Sequence, residues 1–307
     1  MSPEPGVAAP LTPAWKERRE RGTQFMLRFL LWIARHTNRG ITRTLTLPPT
    51  IAYYLVTAGA ARRASRQYLT RVFGRPATLW QVARHLHTFA SVVLDRLLLA
   101  FGGFRELVLE EHRDPEEQRV TYGSRRGSLL FVSHLGSFEA LRVVGVDRAP
   151  MKFLLDREHG QALTSLLGAL KPDLERSIID ASQPGPAVVL AVRQALDEGY
   201  RVGIMVDRPG PGEKTVRVPF LGAPAPFPVG PWALAAALQA RVMVVFCLFR
   251  GGRRYEGYFE VFAERLVIPR ERRNAEIEAC VQRYAARLEH FARQAPYNWF
   301  NFYDFWK

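Results

Sequence analysis

A chain of 307 residues with 48% apolar content can bury a sizeable core, either as one large α/β domain with accessory helices or as two small domains. Lys and Arg outnumber Asp and Glu by 43 to 29, a formal charge of +14, so nucleic acid, anionic lipid headgroups or an acidic carrier protein would be attracted over long range. Two cysteines, Cys247 in a β-like apolar run and Cys280 in a helical pattern, stand at no metal-binding spacing, give no hint of a disulfide framework and fit a reducing cytoplasm.

Met1 to Thr12 is proline-rich and aperiodic and reads as a disordered leader without the apolar core of a signal peptide. Helical patterns are expected over Pro13–His36, Pro49–Phe73 and Thr78–Phe101. Phe25–Ile33 is apolar apart from Arg28, and Thr44–Ala61 is uncharged but carries Pro48-Pro49. A membrane-spanning helix needs about 20 apolar residues, so residues 13–75 read instead as membrane-associated helices forming a monotopic anchor, with Arg62, Arg63 and Arg66 among the flanking cations and an amphipathic helix packed on the core as the alternative.

From residue 76 the character changes to a single α/β unit reaching residue 307. Short apolar runs at Ser128–Ser133, Lys152–Leu155, Ser177–Ile179, Arg201–Val206 and Val242–Leu248 read as strands. Between them lie helix candidates near Ser137–Val146, Glu158–Leu170, Gly185–Glu198 and Val229–Ala240. This alternation predicts a largely parallel central sheet with helices on both faces. A late strand at Tyr258–Phe262 is expected at one edge, followed by a basic helix from Arg272 to Arg293 and an aromatic tail.

In such a sheet, ligands gather beyond the carboxyl ends of the strands. The first central strand ends at Ser133-His134, followed by Leu135-Gly136-Ser137-Phe138-Glu139, a turn into a helix with Ser137 as a plausible N-cap. On one continuous helix His134 and Glu139 would point about 140° apart. With His134 in the turn and Glu139 in the first helical turn, they can meet. A carboxylate on one ring nitrogen then fixes the tautomer, and the other nitrogen can take a proton from a hydroxyl.

These residues resemble a known motif, the His-x4-Asp/Glu of the lysophospholipid acyltransferase superfamily, and within it the lipid A biosynthesis (lauroyl/myristoyl) acyltransferases are most similar. A second region agrees: Asp207-Arg208-Pro209-Gly210 after a strand, then Val218-Pro219-Phe220-Leu221-Gly222, then Gly230-Pro231-Trp232-Ala233-Leu234-Ala235. The closing Trp299-Phe300-Asn301-Phe302-Tyr303-Asp304-Phe305-Trp306 looks like the tail of a compact subgroup associated with aryl-polyene lipid assembly. By chemistry alone it could pack against the sheet, line an acyl pocket or lie at the bilayer interface.

The resemblance implies acyl transfer from an acyl carrier protein thioester, or from acyl-CoA, to a hydroxyl of a membrane glycolipid, on the cytoplasmic face of a bacterial inner membrane. A lysophospholipid or an aryl-polyene carrier is an alternative acceptor. His134 would be general base and Glu139 its orienting partner. The Arg208 guanidinium, or backbone N–H groups near Gly136 and Ser137, would meet the oxyanion, with Asp207 orienting Arg208 or the acceptor. Arg157 and Arg176 are both candidates for a phosphate-binding arginine. No cofactor is implied, since the thioester is a substrate.

Rival readings are weaker. His85 and His87 diverge by about 200° on a helix and do not suggest a metal. Neither a Gly-x-Ser-x-Gly elbow nor a phosphate-binding Gly-x4-Gly-Lys loop occurs. The arginines are scattered over all segments, which disfavours a nucleic-acid-binding protein. A membrane scaffold with the same fold and no activity is the other alternative.

Overall fold

The computed structural model describes residues 39–100, 107–113, 127–137, 150–155, 177–210 and 212–307. The leader, the helix expected over Pro13–His36, the helices expected between residues 138 and 170, and Glu139, Arg157 and Arg176 lie outside the described residues.

Among the described residues, three helices come first: α1 (Arg39–Thr57), α2 (Gly59–Phe73) and α3 (Leu79–Ala100). The single helix expected from Pro49 to Phe73 is instead two, broken at Ala58 (φ −102°, ψ 56°), and α1 runs through Pro48 and Pro49. The two prolines withdraw the N–H groups that would bond the carbonyls of Thr44 and Leu45. Gly74 ends α2 in the left-handed region that a glycine adopts freely (φ 65°). Thr78 and Gln81 then start α3 with a reciprocal cap: the Thr78 N–H donates to Gln81 Oε1 (2.8 Å) and the Gln81 N–H to Thr78 Oγ1 (3.2 Å). Among the described residues no helix is long and apolar enough to cross a membrane.

Among the described residues the sheet has seven strands: β1 (Val108–Arg113), β2 (Ser128–Val132), β3 (Met151–Leu155), β4 (Ile178–Asp180), β5 (Arg201–Met205), β8 (Val242–Gly251) and β9 (Arg254–Ala263). Their order is β1-β9-β8-β2-β5-β3-β4, and every pairing is parallel except β8 with β9. Helices α4 (Gly185–Asp197), α5 (Gly230–Leu238) and α6 (Arg273–Gln294), the last preceded by a 3-10 turn (Arg270–Arg272), complete the described elements, with a hairpin, β6 (Thr215–Phe220) and β7 (Ala223–Pro228), between β5 and α5.

Alternation along the central strands shows why they are apolar throughout. Leu129, Phe131, Val244 and Phe246 pack into one cluster with Trp232 of α5 and Tyr284 and Phe291 of α6. Leu130, Val132, Met243, Val245 and Cys247 pack into another with Val92 of α3 and Phe300 of the tail. A strand covered on both faces needs apolar residues at every position.

Three departures from the sequence reading have local causes. The late strand is longer than Tyr258–Phe262 and is not an edge, because β1 pairs along its far side. β1 itself, VLEEHR, is mostly exposed and charged, so no apolar run announced it. The hairpin was hidden by Pro219, Pro224, Pro226 and Pro228, which ordinarily argue against a strand. A two-stranded ribbon tolerates them, and Leu221-Gly222 turn it with positive φ (50° and 79°), as the twist of a tight hairpin requires. Leu221 is held in that conformation by its N–H bond to Glu289 of α6 (2.6 Å).

Candidate active site

β2 and β5 run side by side with Val132 opposite Met205, and the Val206 N–H donates to the Val132 carbonyl (3.1 Å). Two residues past each strand, that register sets His134 beside Asp207. His134 Nδ1 lies 2.9 Å from Asp207 Oδ1, and the His134 backbone N–H donates to Asp207 Oδ2 (3.1 Å). The same Oδ2 accepts the indole N–H of Trp299 (2.9 Å), and Arg208 Nε lies 3.8 Å away.

Asp207 is completely buried. Burial alone would raise its pKa, but His134, Arg208 and Trp299 together hold the carboxyl well below the usual carboxylate range. Burial moves His134 the other way, below 6.5; Arg208 and Arg96 push it further down, and Asp207 opposes them. The resulting state is an ionised carboxylate against a neutral imidazole. Since a carboxylate only accepts, Nδ1 carries the proton and Nε2 carries the lone pair.

The turn after β2 is fixed from two sides. The Gly136 N–H donates to the Asn298 carbonyl (2.8 Å), the Ser137 N–H to the Cys247 carbonyl of β8 (3.0 Å), and the Phe300 N–H to the His134 carbonyl (3.0 Å). Gly136 has φ 71°, and a β-carbon there would sit 1.8 Å from the Cys247 oxygen, so only glycine lets the turn lie against β8. The N–H groups of Gly136 and Ser137, candidates for receiving an oxyanion, are thus already committed to carbonyls. Among the described residues, Arg208 is a candidate that lines the cavity beside His134, braced by a bond from Nη2 to the Phe300 carbonyl.

That cavity measures about 870 Å³, within the usual range of small-molecule pockets of roughly 300–1,000 Å³. Its walls are mainly apolar: Leu154 of β3, Val188 and Val189 of α4, Ile204 of β5, and Ala233 and Leu234 of α5. Among the described residues His134, Gln183, Arg208, Glu213, Arg273 and Tyr303 supply polar lining. Glu213 accepts the Gly210 N–H (2.7 Å) and a backbone bond from Gly230, tying the loop after β5 to the start of α5. Among the described residues, then, a neutral histidine faces an apolar pocket with a cation beside it, an arrangement that can deprotonate a hydroxyl and stabilise the anion formed next to an apolar chain.

His134, Asp207 and Arg208 are brought together as candidates, though with Asp207 on the histidine as well as beside Arg208. Glu139 and Arg157 fall outside the described residues. Trp299 and Asn298 were not singled out by the sequence reading. The aromatic tail packs against the sheet and, through Tyr303, lines the cavity. His85 spends both ring nitrogens on structure, Nδ1 at 2.8 Å from Ser65 Oγ and Nε2 at 2.9 Å from the Trp299 carbonyl.

The family model described as bacterial lipid A biosynthesis acyltransferase matches residues 25–307. No curated protein matches the chain.

Proposed function

The chain belongs to the bacterial lipid A biosynthesis acyltransferase family and is thereby an acyltransferase that acts on lipid, and on that premise we propose that His134 is the general base that delivers a lipid hydroxyl to an acyl thioester. The observation that carries this reading is the buried Asp207 carboxylate on His134 Nδ1 at 2.9 Å, beside an apolar cavity. Nε2 takes the hydroxyl proton as the oxygen attacks the thioester carbonyl. The oxyanion of the tetrahedral intermediate is met by Arg208. Collapse breaks the C–S bond, and the imidazolium returns its proton to the departing thiolate, leaving an ester and a free thiol. The reaction balances without a cofactor.

The donor in this proposal is an acyl carrier protein thioester, with acyl-CoA as the alternative, and the acceptor is a membrane glycolipid resembling a lipid A precursor. The excess of basic residues favours the acidic carrier. Presenting thioesters on both carriers to the protein with a bacterial lipid extract, and resolving products by mass, tests donor and acceptor together. A new acylated lipid from the carrier protein thioester is expected; no acylated lipid from either donor would overturn the proposal.

The cavity would hold the acyl chain against α4 and α5. Ala233→Trp, which fills part of it, is expected to shorten the preferred chain. Each methylene no longer buried costs about 0.8 kcal/mol, or roughly fourfold in selectivity. Competition among thioesters of graded length reads the change, and an unaltered preference would place the chain elsewhere.

We place the protein at the cytoplasmic face of the inner membrane, peripheral or monotopic. Supporting this, Val56, Leu79 and Trp80 are exposed, at 79%, 61% and 75%. Leu79 shares a depression with Arg62, Arg63 and Arg66, an arginine-lined surface suited to anionic headgroups. Leu79→Glu combined with Trp80→Glu is expected to reduce co-sedimentation with phosphatidylglycerol vesicles by tenfold or more, given about 1.5–3 kcal/mol for each large apolar side chain buried. Unchanged binding would remove this surface from the account.

A further inference from the structure

Trp299 is completely buried and is fixed independently of the carboxylate it touches. Its backbone forms an antiparallel bridge to Leu135 in the turn that carries His134, and its carbonyl faces His85 Nε2 at 2.9 Å. Burial pushes His85 down to about 4, so the ring is neutral; facing a carbonyl, Nε2 must carry the hydrogen, and Nδ1 accepts from the Ser65 hydroxyl. The neighbouring Asn298 side chain bonds the backbone of Phe249 at the end of β8 through both of its polar atoms (2.7 and 3.2 Å). The indole itself is wedged edge-on between Tyr68, Phe220 and Phe305, with ring centres 5.0, 5.2 and 5.1 Å away. Helices α2 and α3, strand β8 and the hairpin thus all determine where the indole N–H points, and it points at Asp207 Oδ2.

Resting on the reading of His134 as general base, we propose that Trp299 is a positioning residue of the acyl-transfer site, holding Asp207 in the one orientation from which its other oxygen directs the His134 ring. Oδ1 can stay on Nδ1 only while Oδ2 is anchored, and the two donors on Oδ2 are the Trp299 indole and the His134 backbone. Without the indole, Oδ2 keeps one hydrogen bond, with Arg208 Nε at 3.8 Å, and the carboxylate is freer to turn about its Cβ–Cγ bond. A carboxylate that has lost a donor is also the more basic partner of the imidazole, so the histidine should bind its proton more tightly. Among the described residues the charged groups acting on His134 are Asp207 and Arg208 beyond β5 and Arg96 on α3, while Tyr284 of α6 and Tyr303 of the tail feel Asp207.

Trp299→benzothienylalanine, which exchanges the N–H for sulfur in a ring of the same shape, separates the hydrogen bond from packing. Trp306→Phe is the matched control, removing another tail indole whose N–H bonds the Phe220 carbonyl (3.2 Å) away from the carboxylate. With the full chain, an acyl carrier protein thioester and bacterial lipid extract, the benzothienyl variant is expected to lose about tenfold in kcat with KM for the thioester changed less than about twofold, a loss drawn from the 10²–10⁴-fold that a positioned base supplies. The acidic limb of its pH profile should move to higher pH, Trp306→Phe should behave as the natural protein, and the benzothienyl change introduced into Asp207→Asn should cause no loss beyond that of Asp207→Asn alone. Natural kcat and pH limb in the benzothienyl variant, alongside an inactive His134→Ala, would overturn the role of Trp299 and leave the general base standing. A loss that adds fully to that of Asp207→Asn would also overturn it. Full activity in His134→Ala would instead remove the reading on which the inference rests.

Discussion

His134→Ala is expected to lower kcat by about 10²- to 10⁴-fold, the contribution of a positioned general base, with little change in KM for the acyl thioester. The cavity wall that would hold the acyl chain comes from β3, β5, α4 and α5 and does not depend on the imidazole. The pH dependence has a definite sign. Because burial and Arg208 lower the pKa of His134 below its ordinary 6.5, the neutral, active form persists below pH 6.5 in the folded protein. The natural protein should therefore hold its kcat/KM as pH falls to 6.5 and lose it only at lower pH, and the small residual activity of His134→Ala should lack that acidic limb. A limb centred above 6.5 would mean that another group titrates.

Asp207→Asn is expected to lower kcat by about 10²-fold, the low end of that range, although the change is a single atom. Oδ2 faces two donors, the His134 backbone N–H and the Trp299 indole N–H. An asparagine must turn its oxygen toward them, since its NH₂ would oppose donors with donors. The NH₂ is then left facing His134 Nδ1, which must give up its proton to accept. The ring adopts the other tautomer, with hydrogen on Nε2 and no lone pair for the acceptor hydroxyl. Stability follows the same carboxylate. A group whose folded pKa is depressed stabilises the fold above its unfolded value, here 3.8, and loses that contribution as pH falls further. Tm of Asp207→Asn should lie below that of the natural protein at pH 7, with the gap closing below pH 3.8. Equal kcat in the two proteins, or a gap in Tm that persists in acid, would contradict the role of the carboxylate.

The sequence disclosed the parts of this site that are local. β2, β5 and β8 are apolar at nearly every position because both sheet faces are covered, and such runs stand out without any knowledge of pairing. His134 and Asp207 could be singled out because each directly follows such a run. Their partnership could not be read locally, because they are 73 residues apart; Glu139, the nearer carboxylate to which the motif assigns the orienting role, lies outside the described residues. The missing information was strand order. Once β2 and β5 are known to be parallel neighbours of five residues each, in register from Ser128 with Arg201 to Val132 with Met205, the residues two places beyond must meet.

Trp299 was hidden for a related reason. An aromatic run signals burial but not which ring edge meets a carboxylate, and the tail reaches the site by pairing with a turn rather than by extending the sheet. The elements that escaped notice, β1 and the proline-bearing hairpin, are those in which local composition opposes the structure. Their positions are fixed by β9 and by α6, neither of which is adjacent in sequence.

The most direct test of the account is transfer of a labelled acyl chain from acyl carrier protein to a bacterial lipid extract, comparing the natural protein with His134→Ala and identifying the product by mass. The account predicts a new lipid ester formed by the natural protein and nearly absent with the variant; an ester formed equally well by both would contradict it.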